Sequence, residues 1–599
     1  MVDWAAPFWQ LLSALERLCC LHPLAIIARK RLDISFCDCA RAMRLCLLAM
    51  LPGGSGDGAR ERASVDLSSS TDWAPARCHG RPVAACHTSP VRFLHALSVQ
   101  SQKLIRRLDL APASGEDSAA PTRAAPAPAA VAPFLSVRTA FDLYLKALKL
   151  PRGSLVVCSA LTIPDMVTIF EEHGLVPVPV DLDPATLAPE VGALEAEVER
   201  CRAEQCGGGA AGRVRAIYVA HVFGAVVDMT PAVHAAALHG LLVWEDCAQV
   251  FTGRQAYLGH PESDAVFFSF GVIKRATALG GGVARIGNTA VLSAMRREEA
   301  DYPAQSAGTY LQRVLKYTLL LALTSPLLYG VIVYALGLMG VDHDKLAMKI
   351  SKGFPKKGLL KAIRHRPSVP LLQMLGWRTS RYNAEGVEIR LRHCNRMLGL
   401  LEVALARGAQ TRGVKECQEL ASGGVEDVLP GTRAHRHTLW LYPVVVRGGS
   451  QRANSLVDAL LREGFDATRA PTSLMSIDRC TSAERTGVSG WTTPLTASSK
   501  TPRCSSMMSS LVYLPLCNNI PDSEMDRMTL TLARELLRSP SSRNDCRVRA
   551  GVVSGRGNGM GHREVAKIII SFAFRLDVIV LSISCAVILV PLLLLAHVL

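Results

Sequence analysis

Between Phe134 and Lys274 short apolar runs alternate with helical stretches, and this rhythm restricts the fold more than any other feature of the chain. Ser136 to Leu150 has helical spacing, with Phe141, Leu145 and Leu148 on one side. Leu155-Val156-Val157 reads as a strand, Pro164 to His173 as a helix closed by Gly174, and Val176 to Val180 as a second strand. Leu187 to Arg202 is a helix, Val214 to Ala220 a strand, Met229 to His239 a helix and Leu241 to Trp244 a strand. Short apolar strands separated by helices define an α/β fold, a mostly parallel sheet covered on both faces. Ligands bind such sheets at the carboxyl ends of the strands, and both His221 and Asp246 fall there.

Around this unit the chain divides by composition. Residues 1–110 form a helical N-terminal region, with a Gly/Ser-rich mobile stretch from Gly53 to Ser70. Residues 111–133 are an Ala/Pro-rich linker, extended by composition. Residues 134–312 are the large domain, and 313–374 an apolar and basic insertion. Residues 375–538 make a smaller α+β domain, with helices over Ala384–Leu405, Ser455–Glu463 and Ser523–Leu537. Its strands are Thr438–Val446 and Leu511–Pro515, and its Ser/Thr-rich 477–508 reads as a disordered insertion. A linker, 539–566, leads to a terminal segment, 567–599.

The chemistry is concentrated at two strand ends. The run Leu241-Leu242-Val243-Trp244 ends in Glu245-Asp246, and Phe267-Phe268-Ser269-Phe270 leads to Lys274, ahead of Gly280-Gly281-Gly282. Pyridoxal phosphate needs such a pair: a lysine for its Schiff base and a carboxylate that keeps its pyridine nitrogen protonated.

Composition excludes other classes. With 49% hydrophobic and 20% charged residues the chain is not globally disordered. The net charge of +16 is scattered, without interleaved aromatics or a nucleic-acid motif, so no nucleic acid is expected and anionic lipid is the better partner. The 18 cysteines include the close pairs Cys19-Cys20 and Cys37-Asp38-Cys39, but no second pair at zinc-ligand spacing. Reduced, buried thiols in a cytosol-facing protein are expected, and no metal.

Val578 to Leu595 is uncharged over 18 residues, long enough for a transmembrane helix. The basic linker before it, with Arg543, Arg547, Arg549, Arg556 and Arg563, places the catalytic domain on the cytosolic side of a C-terminal anchor. A second apolar stretch, Thr318 to Gly340, is interrupted by Pro326 and Gly330 and could span, form a hairpin at the membrane or pack as core.

The order of motifs resembles the DegT/DnrJ/EryC1/StrS sugar aminotransferases. Val157-Cys158-Ser159-Ala160-Leu161-Thr162 is similar to the family's first strand and turn, and Gly174 to Asp183 (GLVPVPVDLD) to its G-A-x-P-V-F-V-D-V-D segment. His221-Val222-Phe223-Gly224 with Asp228-Met229 resembles H-L-Y-G…D-M, Glu245-Asp246-Cys247-Ala248-Gln249 resembles E-D-A-A-Q, and Ser269-Phe270 with Lys274 resembles S-F-x-x-x-K. The resemblance covers about 134–300 well and 375–537 loosely.

It implies the fold-type I architecture, with a seven-stranded-type sheet, and an aminotransferase that moves an amino group from an amino-acid donor to a keto group, that of an activated sugar. It also implies a homodimer. Lys274 would carry the cofactor and move the proton, Asp246 would pair with the pyridine nitrogen, and Gln249 would bond the phenolic oxygen or remain a surface residue. Ser269 would contact the phosphate. Ser136-Val137-Arg138-Thr139-Ala140 aligns with the family's S-G-T-A-A, so Thr139 would give a hydroxyl, Arg138 replaces a glycine and could reach the phosphate, and Ser136 could equally be a helix cap. His221 would contact the cofactor or be a core histidine. Ile163 stands where the family often stacks an aromatic. The altered phosphate turn and the insertions leave a membrane-tethered, inactive scaffold as the alternative, which the retained acid–lysine pair argues against.

Overall fold

In the computed structural model of the chain, residues 34–50, 130–203, 212–253, 257–323, 358–382, 385–412, 428–469, 473–477, 501–515 and 520–537 are described. The Gly53–Ser70 stretch, most of the Ala/Pro linker, Thr324–Gly340, 478–500 and everything after Leu537, including the 578–595 segment, lie outside these residues.

Seven strands form the central sheet: β1 (Ala130–Phe134), β2 (Leu155–Ser159), β4 (Val176–Val180), β5 (Val214–Ala220), β7 (Leu242–Asp246), β8 (Ala265–Ser269) and β9 (Gly282–Ile286). Two short strands, β3 (Leu161–Thr162) and β6 (Ala225–Val226), lie at its carboxyl edge. The order is β1-β9-β8-β7-β5-β2-β4. β4, β2, β5, β7 and β8 are parallel, and β9 runs antiparallel to β8 and β1. Among the described residues the helices are α1 (Phe36–Met50), α2 (Val137–Leu148), α3 (Pro164–Glu172), α4 (Ala193–Ala203), α5 (Thr230–His239), α6 (Thr289–Ala300), α7 (Ala307–Leu323), α8 (Leu359–Ile363), α9 (Val369–Arg381), α10 (Glu385–Arg412), α11 (Gly449–Arg462), α12 (Pro502–Ser510) and α13 (Asp522–Leu536).

Continuous apolar strands make sense because both sheet faces are covered. Val156, Cys158, Tyr218, Trp244 and Phe267 face one cluster, in which Phe141 and Tyr144 of α2 meet Trp244 and Phe267 edge-on at 5.4–5.9 Å. Val157, Ile217, Val219 and Val243 face another, closed by Leu194 and Val198 of α4 and Ala232 and Ala236 of α5. A buried carboxylate pins α2 from behind. Asp142 accepts from Arg364 (2.9 and 3.0 Å), His173 (3.0 Å) and Tyr302 (3.2 Å). Burial alone would raise its carboxyl, but the bonds from His173 and Arg364 hold it down at about 2.

The smaller domain joins α10, α11 and α13 to an antiparallel pair, β11 (Pro443–Val445) and β13 (Leu511–Tyr513), around Leu401, Leu456, Val444 and Leu532. Two short strands tie it to the large domain: β10 (Arg436–His437) pairs with β6, and β12 (Met475–Ser476) pairs with β3.

Several expectations are corrected. The linker does not run to residue 133: Ala130–Phe134 is an edge strand, a position where Pro133 gives up no needed ladder bond. The helix expected from Leu187 begins at Ala193, because Asp183 accepts from Ala185 N (2.9 Å) and holds a turn in which Leu187 has φ +56°. Thr438–Val446 is not one strand, since Leu439 has φ +50° and ladder pairing starts only at Pro443. The end of the Ser/Thr-rich insertion is ordered as α12. Pro502 starts it, Cys504 and Met507 are buried three residues apart, and the Asp181 carboxylate accepts from Arg503 N (2.8 Å) and Cys504 N (2.9 Å). From the N-terminal region, α1 docks on α7 and α9, with Cys39 and Cys46 buried and Asp38 bonded to Arg378 at 3.2 Å. The second apolar stretch begins inside α7, where Tyr317 and Leu321 are buried in this same contact. Among the described residues no helix is long and apolar enough to cross a membrane.

Candidate active site

The parallel strands end along one edge, and there the loop 270–281 carries Lys274. The loop is closed by its own backbone: Lys274 N donates to Gly271 O, Ala278 N to Phe270 O and Phe270 N to Gly281 O, all at 3.0 Å. Helices α7 and α9 brace it through side chains that donate to its carbonyls, Tyr310 to Ala278 O (2.7 Å), Arg313 to Leu279 O (3.2 Å) and Arg378 to Thr277 O (3.0 Å). Lys274 itself is half-buried. Burial pushes its amine down to about 7, with Arg138 adding to the effect and Asp246 opposing it. An amine poised there is substantially neutral at physiological pH, as nucleophilic attack on an aldehyde requires.

Asp246 ends β7. Its Oδ2 accepts from the Tyr218 hydroxyl (2.9 Å) and its Oδ1 from Ala248 N (2.9 Å), so the carboxylate plane is fixed. Gln249 accepts from Phe223 N through Oε1 (2.6 Å), which leaves the amide nitrogen as its donating side. Ser269, half-buried, accepts weakly from Gly271 N (3.4 Å), and its hydroxyl proton can be given elsewhere.

His221 is a correction. It is 1% exposed, its Nδ1 accepts from Val227 N (3.0 Å) and its Nε2 lies 3.0 Å from Glu245 Oε2, so Nε2 carries the proton. Both nitrogens are used within the protein, and neither is left for a cofactor. Its backbone N–H donates to Asp246 O (3.1 Å), so the histidine supports the strand end from behind. Glu245 also accepts from Tyr257 (2.6 Å) and His260 N (2.7 Å). His221, Glu245 and Cys247 stand close enough to share a metal ion, but the first two already satisfy each other.

The phosphate end also departs from expectation. Ser136 caps α2, accepting from Thr139 N (3.1 Å). The Thr139 hydroxyl donates to Ile363 O (2.8 Å) and lies 2.9 Å from the Ser136 hydroxyl, which therefore donates to it. Thr139 is fully buried and its one proton is spent, so it is not the phosphate donor expected from its place in the motif. Arg138, in the same turn, pairs with Asp165 of α3 at 2.5 Å and is a quarter exposed. Gly282 lets β9 meet this turn, because a Cβ there would lie 2.5 Å from Val137 N.

Sequence reasoning missed Trp440. Its ring centroid is 3.9 Å from Lys274 Nζ and its Nε1 donates to Ile273 O (3.1 Å). Thr438 N donates to Gly224 O (2.7 Å), and Arg275 donates to Leu439 O. Gly224, at φ +95°, has to be glycine, since a Cβ would sit 2.5 Å from Trp440 N. The one available signal was a lone aromatic beside a broken alternation, which is weak.

The residues fit pyridoxal phosphate: a poised amine, a fixed carboxylate, an amide donor, a free hydroxyl, and a guanidinium at a helix N-terminus. A mostly parallel seven-stranded sheet that brings these groups to its carboxyl edge defines a pyridoxal-phosphate-dependent transferase. Residues 130–298 match the DegT/DnrJ/EryC1/StrS aminotransferase family. The match supports a pyridoxal-phosphate-dependent aminotransferase. No curated protein matches the chain. Among solved structures, 3-amino-5-hydroxybenzoic acid synthase is 17% identical, with 68% of this chain and 87% of that one covered and a TM-score of 0.43. The aminotransferase TlmJ from Streptoalloteichus hindustanus is 16% identical (68% and 85%, TM-score 0.42), and DesI with its TDP-sugar product is 15% identical (77% and 92%, TM-score 0.44). Likenesses with scores this low say nothing of this chain's own substrate.

Proposed function

We propose that this chain transfers the amino group of an amino acid to the keto carbon of an activated sugar, with Lys274 as the catalytic residue. The carrying observation is the convergence of Lys274 and Asp246 at neighbouring strand ends, close enough for the Asp246 charge to act on the Lys274 amine. Pyridoxal phosphate, when bound, supplies the electron sink. Lys274 would hold the cofactor and would be the group that moves the proton at the substrate carbon. Asp246 would hold the proton on the ring nitrogen, Gln249 would donate to the phenolic oxygen, and Ser269 and Arg138 would bind the phosphate. Trp440 shields Lys274 Nζ from water. The sugar assignment rests on the resemblance of the motifs to sugar aminotransferases.

Purified protein mixed with pyridoxal phosphate should gain a visible absorbance that Lys274→Ala abolishes. An amino donor such as glutamate should bleach it, and a nucleotide-linked keto sugar should restore it. No bleaching by any amino acid would sink amino transfer. Restoration by simple keto acids alone would sink the sugar assignment.

The same proposal includes a homodimer, and attachment of the cytosol-facing catalytic domain to a membrane through residues 578–595. Light scattering of a fully active monomer would contradict the first. For the second, deletion of 567–599 should release the protein from membranes with cofactor binding intact, and full retention after an alkaline wash would exclude that segment as the anchor.

A further inference from the structure

Tyr218 sits in the middle of β5, completely buried, where its ring meets Phe170 edge-on at 5.5 Å and Phe141 at 5.8 Å. Phe141, Phe170, Trp244 and Phe267 belong to the same buried cluster. For packing alone, phenylalanine would serve this position equally well. The hydroxyl adds a hydrogen bond to Asp246 Oδ2 at 2.9 Å, with the Thr162 side chain beside it. A buried hydroxyl must find a partner, and this one finds the acid at the candidate site.

The register explains how. Tyr218 pairs with Trp244 and Ala220 with Asp246, so Tyr218 and Asp246 lie diagonally on one face of adjacent parallel strands. The small Ala220 beside Asp246 leaves room for the phenol to reach along the strand. From the other side, Ala248 N takes Oδ1. Two donors on opposite oxygens fix the carboxylate plane, and each oxygen keeps a second lone pair for a further donor. Burial and the Asp246 charge raise the Tyr218 hydroxyl well above its ordinary range, so it stays protonated and always donates.

We propose that Tyr218 is a positioning residue for the cofactor, orienting the Asp246 carboxylate toward the ring nitrogen. This rests on the reading of Asp246 as that nitrogen's partner. Tyr218 would act through Asp246 without touching the cofactor.

The test uses the full-length protein loaded with pyridoxal phosphate labelled with 15N in the ring. In the wild type the ring nitrogen should show the chemical shift of a protonated pyridine. Asp246→Asn should move it to the unprotonated value, and Tyr218→Phe should move it part of the way, with cofactor affinity weakened about three- to tenfold. The thermal midpoint of Tyr218→Phe should stay close to wild type, because the ring and its packing remain. An unchanged nitrogen shift in Tyr218→Phe, with Asp246→Asn altered, overturns the proposal. A nitrogen shift indifferent to Asp246→Asn overturns the parent reading instead. Should Tyr218→Phe not fold, 3-fluorotyrosine at position 218 keeps the volume and makes the hydroxyl a stronger donor. It should then move the nitrogen shift measurably, and no movement counts against the proposal.

Discussion

The two ends of the candidate site are built differently. At the ring end, Asp246 lies on a strand within the sheet and takes hydrogen bonds from Tyr218 and Ala248, so its geometry is set by the fold itself. At the phosphate end, the first turn of α2 spends the Ser136 and Thr139 hydroxyls on each other and on Ile363, and presents a guanidinium paired with Asp165. A strand end leaves little freedom: the register with β5 and β8 decides where Asp246 points. A helix N-terminus can bind an anion through backbone amides with almost any side chains, so its donors can be exchanged. The acid at the ring end is thus held by the sheet register, while the first turn of α2 has its hydroxyls committed within the protein and offers a guanidinium.

The largest expected effect tests the ring end. Lys274→Ala should remove covalent cofactor attachment and lower amino transfer by on the order of 10²- to 10⁴-fold, measured by single-turnover bleaching with glutamate. Variants on α2 should never reach this size. Because burial holds the Lys274 amine at about 7, its neutral fraction falls about tenfold for each pH unit below that value. Capture of pyridoxal phosphate by the apoprotein should thus rise with pH and level off above about 7. A rate that still climbs toward the usual lysine value of ~10.4 would show that the amine is solvated.

Next in size is the exchange of donors at the phosphate end. Arg138→Ala should weaken pyridoxal phosphate binding about ten- to a hundredfold, the worth of a charged hydrogen bond, and leave binding of pyridoxal, which has no phosphate, nearly unchanged. Asp165→Asn removes the competing anion and should tighten pyridoxal phosphate binding a few-fold. Equal losses for both ligands in Arg138→Ala would make the Arg138–Asp165 pair a structural clamp, and the contrast between the two ends would fail.

The ring end is legible in the sequence and the phosphate end only in part, for the same physical reason. Strand ends are marked by apolar runs of fixed period, so β5 and β7, and with them Asp246, can be read directly. Lys274 follows β8 at a short spacing that a tight loop preserves. By contrast, Thr139 reads as a phosphate ligand because the residue that takes its proton, Ile363, is 224 positions away. His221 has the same explanation, since its partners Glu245 and Val227 become neighbours only through the sheet. Trp440 comes from the smaller domain and reaches Lys274 through a clasp set by Gly224. Edge strand β1 is hidden in an Ala/Pro-rich run because an edge needs only one paired side.

The smallest effect on binding, and the sharpest test of the contrast, is at Thr139. Thr139→Val keeps the side chain's shape and removes the hydroxyl; Ile363 O keeps its bond from His365 N, and the buried Ser136 hydroxyl proton is left without an acceptor. A buried donor left unsatisfied costs about 1–3 kcal/mol, so the denaturation midpoint should fall. The dissociation constant for pyridoxal phosphate should stay within about twofold of wild type, because a hydroxyl already committed to Ile363 has nothing to lose toward the phosphate. The reverse pattern, unchanged stability with clearly weaker binding, would mean that the hydroxyl turns from Ile363 to the phosphate when the cofactor enters. The phosphate end would then work as the family's motif implies, and Arg138 would be an addition to its hydroxyls instead of their replacement.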